Sequence, residues 1–371
     1  MALVDSVKDF WVKKILMPKV FRIDIPGYVT GKFYTLEGQT AFVRNIFMPE
    51  NFFVILENKV SIKLGKDGSQ KLYAASKKFG YGFATSNRLP KANPEFSIDL
   101  VTRFFESLYA EELKVKVDVK KRYVELQTND LFVTRMNGGG ESITLGGFTG
   151  VCGYIFGDFK NIDGGVSKIG ENYNIICGPS EELGKNNVEH FEFKGDIPSF
   201  DKRYVQFNTP TQKTPQNSFS LEKLMKSSLF SYEKGELTFS LPGIRFAPVE
   251  ISLIYLIGME IDNQIIYEAS KEAFQKISES MKKQANPYLF VSNILTALGY
   301  GVVTVEKMGD QILLSFEGFP WYTGCEVSTF PLLRGIVEGF LAGQKADKLN
   351  VVINDNKIAD NKLVVLISVT K

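Results

Sequence analysis

Histidine is almost missing from this chain: among 371 residues there is one, His190. That scarcity excludes a metal centre built on several imidazoles and removes the side chain most used for proton transfer near neutral pH. Cysteine is nearly as rare. Cys152, Cys177 and Cys325 are too few and too scattered for a disulfide framework or a four-ligand zinc site, so they read as small packed hydrophobes. No run reaches the ~18 uncharged apolar residues that a membrane-spanning helix needs. The start, Met1 to Pro18, lacks the small-residue cleavage site of a secretory signal, and Asp5, Lys8, Asp9, Lys13 and Lys14 interrupt its apolar positions. A soluble, cytoplasmic protein with reduced thiols is expected. Neither sign of charge dominates: 44 Lys and Arg face 42 Asp and Glu, so the total announces no polyanion partner. Catalytic signatures are missing too. There is no H-E-x-x-H, no nucleophile elbow, no phosphate-binding G-x-x-x-x-G-K-[ST] and no G-x-G-x-x-G between strand and helix. The glycine-rich stretches Gly65–Gly68, Gly138–Gly140 and Gly146-Gly147 read as flexible hairpin turns. The sequence therefore offers no catalytic residue, no metal ligands and no cofactor site.

What it does offer is core-forming surface, written twice. Thirty Phe and 15 Tyr accompany an apolar content of 44%, and the length exceeds what one core usually serves, so two domains are expected. Leu72-Tyr73-Ala74-Ala75-Ser76 returns as Ile266-Tyr267-Glu268-Ala269-Ser270. In each, apolar and small residues fall at i, i+3, i+4 and i+7, the spacing of a helix face that packs closely on another element. Before each lies an alternating strand ending in glycine, Gly31–Gly38 and Gly235–Gly243. An amphipathic stripe precedes each strand, over Val7–Ile15 and Leu221–Leu229. After each comes Ala-Asn-Pro, at 92–94 and 285–287, where Asn can cap and Pro can open a helix. Alternating strands follow, then Gly147–Cys152 matched with Trp321–Cys325, then a closing hairpin. The expected class is α+β, with two copies of one module that packs helices on antiparallel strands. The first copy covers residues 1–185 and the second 218–371, with 186–217 as linker or extra strand.

The second copy carries Ala297-Leu298-Gly299-Tyr300-Gly301, a hairpin, and Leu333-Arg334-Gly335 through Gly339 and Gly343. This pattern resembles the 4-vinyl-reductase domain, a fold similar to subunits of TRAPP vesicle-tethering complexes. The first copy shows it more faintly, through residues 72–76 and 152–164. The resemblance implies a non-enzymatic tandem module that binds a small apolar ligand or a protein partner. It also implies dimerisation, which two fused copies could satisfy as a pseudo-dimer or extend as a homodimer. Cysteines that many members carry after the glycine helix are absent from Asn354 to Val369, which counts against a thiol-metal role.

Two sets of residues are candidates for function. Tyr73, Phe79, Tyr267, Trp321, Tyr322 and Cys325 sit at repeated helix or turn positions and would line an apolar pocket. Lys114, Lys116, Lys120, Lys121 and Arg122 form a basic group, with Lys114, Lys116, Asp118 and Lys120 on one strand face. Lys59, Lys63, Lys66, Lys71, Lys77, Lys78, Arg88 and Lys91 add a basic run from 57 to 91. These make a second reading, a ribosome- or nucleic-acid-associated factor that uses the basic face of the first copy. Richness in Lys, Ile and Asn is the habit of AT-rich genomes, archaeal ones among them.

Overall fold

The computed structural model describes residues 21–34, 40–109, 113–128, 141–169, 172–196, 219–226, 230–232, 239–241, 244–309, 311–320, 326–344, 349–359 and 362–369. The stripe at Val7–Ile15 and the triple glycine at 138–140 lie outside them, as do Trp321, Tyr322 and Cys325.

Three antiparallel sheets and the helices between them make an α+β fold. The central sheet joins the beginnings of the two halves of the chain. Its first part holds β1 (Phe21–Arg22), β2 (Val29–Tyr34) and β3 (Thr40–Pro49). After β3 comes α1 (Glu50–Ser86), a long helix bent at Gly65. There φ is 62° and ψ −147°, a conformation open only to glycine, and Gly65–Gly68 is thus a kink inside a helix rather than a hairpin turn.

Then follow α2 (Pro94–Tyr109), β4 (Lys114–Asp118), β5 (Tyr123–Thr128) and α3 (Glu141–Ile155). Next are β6 (Asp163–Ile169), β7 (Asn172–Gly178), the single turn α4 (Ser180–Leu183) and β8 (Glu189–Phe191). These strands form a sheet of order β4-β5-β7-β6-β8. Within 186–217, β8 pairs with β6 at the edge of this sheet.

The second half begins with α5 (Leu221–Lys226), β9 (Ser231–Tyr232), β10 (Phe239–Leu241) and β11 (Ile244–Glu250). Two helices follow, α6 (Ile251–Glu260) and α7 (Asn263–Ser280), with the Asp262 side chain accepting from Gln264 N to open the second. After α8 (Pro287–Ala297), β12 (Val302–Met308), β13 (Gln311–Glu317), α9 (Glu326–Gly343), β14 (Leu349–Ala359) and β15 (Lys362–Val369) complete the chain. Their sheet has the order β12-β13-β15-β14.

The expected Ala-Asn-Pro starts hold physically. Asn93 Oδ1 accepts from Phe96 N and Asn286 Oδ1 from Leu289 N, each capping the helix its proline opens. The halves meet where β3 pairs with β11, Asn45 opposite Glu250 and Pro49 opposite Phe246. Arg44 crosses the same seam and donates to the carbonyls of Gly27, Gly299 and Gly318. Among the described residues no helix is long and apolar enough to cross a membrane.

The tight layer is where helices cross on glycine. In α1 against α3, a Cβ on Gly146 would stand 2.3 Å from Tyr73 O, and one on Gly150 2.1 Å from Lys77 O. In α7 against α9, a Cβ on Gly335 would stand 2.5 Å from Tyr267 O, and one on Gly339 2.3 Å from Lys271 O. Gly146-Gly147 is thus mid-helix, not a turn. The crossing of α7 with α9 at Gly335 and Gly339 has the same close backbone approach as that of α1 with α3 at Gly146 and Gly150. Glycine costs a helix about 1 kcal/mol each in propensity, and here close backbone approach outweighs that.

Candidate functional site

Lys120, Lys121 and Arg122 lie in the tight connection between β4 and β5, where Arg122 takes a left-handed φ of 52°. Lys120 is past the strand end, so it does not continue the face of Lys114 and Lys116, which are exposed on β4. The connection faces the loop after α3, which carries Asp158, Lys160 and Asn161. Arg122 is ion-paired with Asp158 across that gap. Pro179 to Glu182, leading into α4, closes a third side. Apart from Asp158, these residues together with Asp163 line a polar cleft of about 540 Å³.

Charge in the cleft is nearly balanced. Lys120, Lys121, Arg122 and Lys160 face Asp163, Glu181 and Glu182. Lys121 lies 3.8 Å from Glu182 and 3.9 Å from Asp118. Among the described residues Lys160 reaches only Asp196, at 3.1 Å, whose side chain is 97% exposed. Lys120 has no ion-pair partner among the described residues.

At the floor stands Asp163, which opens β6 and keeps 9% of its side chain exposed. Behind it Lys77 is fully buried. The Lys77 ammonium donates to Asp163 Oδ1 at 3.1 Å and to Ile162 O at 2.6 Å. It also lies 5.0 Å from the ring centres of Phe159 and Phe193 and 5.9 Å from that of Tyr73. Phe193 N donates to the same Asp163 oxygen at 3.1 Å. Burial pulls the Lys77 ammonium below its usual range, while Asp163 pulls the other way. Burial likewise pushes the Tyr73 hydroxyl and the Cys152 thiol up, so neither is an activated nucleophile. Cys152 neighbours Cys177.

Of the apolar-pocket residues, Tyr73, Phe79 and Tyr267 lie among the described residues. Tyr73 is fully buried on α1, its ring 5.4 Å from that of Phe191. Phe79 is half-buried on the same helix near Phe83. Tyr267 lies in the second half, where its hydroxyl donates to Glu338 Oε2 at 2.6 Å and Lys271 reaches Glu338 Oε1 at 2.6 Å.

Much of the basic run at 57–91 is spent inside the chain. Lys59 pairs with Glu272 at 3.0 Å, Lys63 with Glu268 at 2.9 Å and Lys78 with Glu260 at 2.9 Å. With Lys77 on Asp163, four of the cations that suggested an acidic partner already have one. Lys160, Asn161 and Asp163 were not singled out from sequence. The signal that could have found the Lys77 pair is Tyr-x-x-x-Lys, present as Tyr73–Lys77 and Tyr267–Lys271. Among the described residues no cluster of His, Cys, Asp or Glu is arranged to hold a metal ion. No family model matches the chain, and no curated protein matches it.

Proposed function

We propose that the chain is two copies of one α+β unit, fused as a pseudo-dimer, which binds a small polar ligand in the cleft of the first copy. The duplication is supported by strand order: β4-β5-β7-β6 in one half corresponds to β12-β13-β15-β14 in the other. Matching glycine crossings support it further. On this reading copy one runs to about residue 185, with β8 added to its sheet, and copy two starts near 218. The resemblance to the 4-vinyl-reductase domain enters here as a proposal for the module's ancestry and non-enzymatic character. The reducing cytoplasm is the proposed setting, keeping Cys152 and Cys177 as thiols.

One observation carries the ligand reading. Lys120, Lys121, Arg122 and Lys160, from two separate loops, converge around the fixed carboxylate of Asp163. An apolar ligand is less well supported, because Tyr73 is used up in packing. A ribosome or RNA partner is less well supported because Lys59, Lys63, Lys77 and Lys78 are neutralised within the chain. A balanced cleft also steers a polyanion weakly.

Equilibrium dialysis against a mixture of polar metabolites and apolar aromatic compounds, read by mass spectrometry, tests the reading. Enrichment of polar compounds, lost in the Lys120→Glu/Lys160→Glu variant, is expected. Enrichment of apolar compounds alone, or retention of binding by the variant, would refute it.

A further inference from the structure

We infer that the ligand of this cleft carries a phosphate group with hydroxyl donors beside it, as in a sugar phosphate or the ribose phosphate of a mononucleotide. The inference rests on the cleft being the ligand site.

The two loosely held cations come first. Lys120 has no ion-pair partner among the described residues, and Lys160 only the 97% exposed Asp196. Both can turn to an anion without breaking a buried contact. Arg122 and Lys121 are braced by Asp158 and Glu182, so they shape the wall on which that anion would rest.

Asp163 then decides what lies next to the anion. A carboxylate repels a phosphate placed directly on it but accepts strongly from a hydroxyl. Lys77 and Phe193 N both bind its Oδ1, and no hydrogen bond to Oδ2 is present among the described residues. Buried Lys77 holds Asp163 in place from behind, where solvent cannot compete. The side facing the cleft is therefore a preset acceptor. Asn161 and Ser180 add neutral hydrogen-bonding groups, and Glu181 adds a further acceptor. Free phosphate would use the cations and leave these acceptors idle. A long polyanion would meet three carboxylates, Asp163, Glu181 and Glu182, and be repelled.

Calorimetric titration of the full chain with inorganic phosphate, D-ribose, D-ribose 5-phosphate and AMP tests this. Ribose 5-phosphate should bind at least about tenfold tighter than phosphate or ribose alone, since one charge-assisted hydrogen bond is worth roughly that factor. AMP tighter than ribose 5-phosphate would identify a nucleotide as the source, and AMP weaker a free sugar phosphate; both support the inference. Asp163→Asn should remove the ribose advantage and spare phosphate binding. That variant strands the buried Lys77 charge, so Lys77→Met/Asp163→Asn, which leaves no unpaired ion, serves as the second form. Equal affinity for phosphate and ribose 5-phosphate, lost in Lys120→Glu/Lys160→Glu, would overturn the hydroxyl requirement while the cleft stood as the ligand site. Binding of none of the four would overturn the inference, and the dialysis result would then judge the cleft separately. Preference for a single-stranded RNA oligonucleotide, falling steeply with salt, would also overturn it in favour of a polymer.

Discussion

At the scale of single residues, burial sets the behaviour of the ionisable groups. Glu250 ends β11 opposite Asn45, and its carboxyl lies inside the protein although the residue keeps some surface. Burial raises its pKa to about 7, against the lowering effect of the Ser252 hydroxyl that donates to it. The folded chain therefore binds a proton at this site that the unfolded chain, titrating at about 4.3, has already released. Stability falls as pH rises from the unfolded value through 7, with the full cost present above it. Glu250→Gln should remove that fall. Urea unfolding at pH 5 and pH 8 should show the variant gaining on the wild type at the higher pH, by about 3 kcal/mol at most and less where water reaches the carboxyl. No sequence pattern marks Glu250 as different from an exposed glutamate, because its pKa depends on what covers it. Lys77 is similar: its helix register was readable, but its neighbours Phe159, Asp163 and Phe193 lie on other elements.

At the scale of elements, the glycines divide into those that touch a neighbouring helix and those that do not. Gly150 of α3 and Gly339 of α9 meet backbone at 2.1 and 2.3 Å from an added Cβ. Gly82 of α1 has nothing within 4 Å. Helix propensity alone would have alanine stabilise all three by ~1 kcal/mol. Contact reverses the sign at the first two. Gly150→Ala and Gly339→Ala should each destabilise by about 1–3 kcal/mol, since the helices must part. Gly82→Ala should stabilise by ~0.5–1 kcal/mol. Thermal melts followed by circular dichroism distinguish the outcomes, and a stabilised Gly150→Ala would sink the close-crossing account. Helices α2 and α8 were legible because caps and stripes are local. Helix α3 was not, because its glycines break the local helix signal and only α1 supplies the reason for them.

At the scale of the whole molecule, the two halves are held by paired strands and by charge. β3 and β11 share a ladder, Arg245 of β11 is ion-paired with Glu50 at the start of α1, and burial lowers the Arg245 pKa to about 10. Lys59 and Lys63 on α1 face Glu272 and Glu268 on α7. These last pairs are partly exposed, so each is worth ~0.2–1 kcal/mol. Lys59→Glu/Lys63→Glu should destabilise by about 1–2 kcal/mol, and adding Glu268→Lys/Glu272→Lys should restore most of it. A double-mutant cycle by denaturant unfolding measures the coupling, and zero coupling would mean that these charges do not help dock the halves.

The sequence by itself determined those elements whose signals act over a few residues: helix stripes, proline starts, alternating strands and the repeated Tyr-Ala-Ser text. Only the tertiary structure decided where the charges point. Neighbouring helix positions diverge by about 100°, so Lys77 turns inward to Asp163 while Lys78 meets Glu260 of the other half. Half of the cations in the basic run from 57 to 91 are closed in ion pairs within the chain. The cleft at Lys120, Lys160 and Asp163 exists because a hairpin turn, a loop and a strand start meet there, and long-range folding alone brings them together.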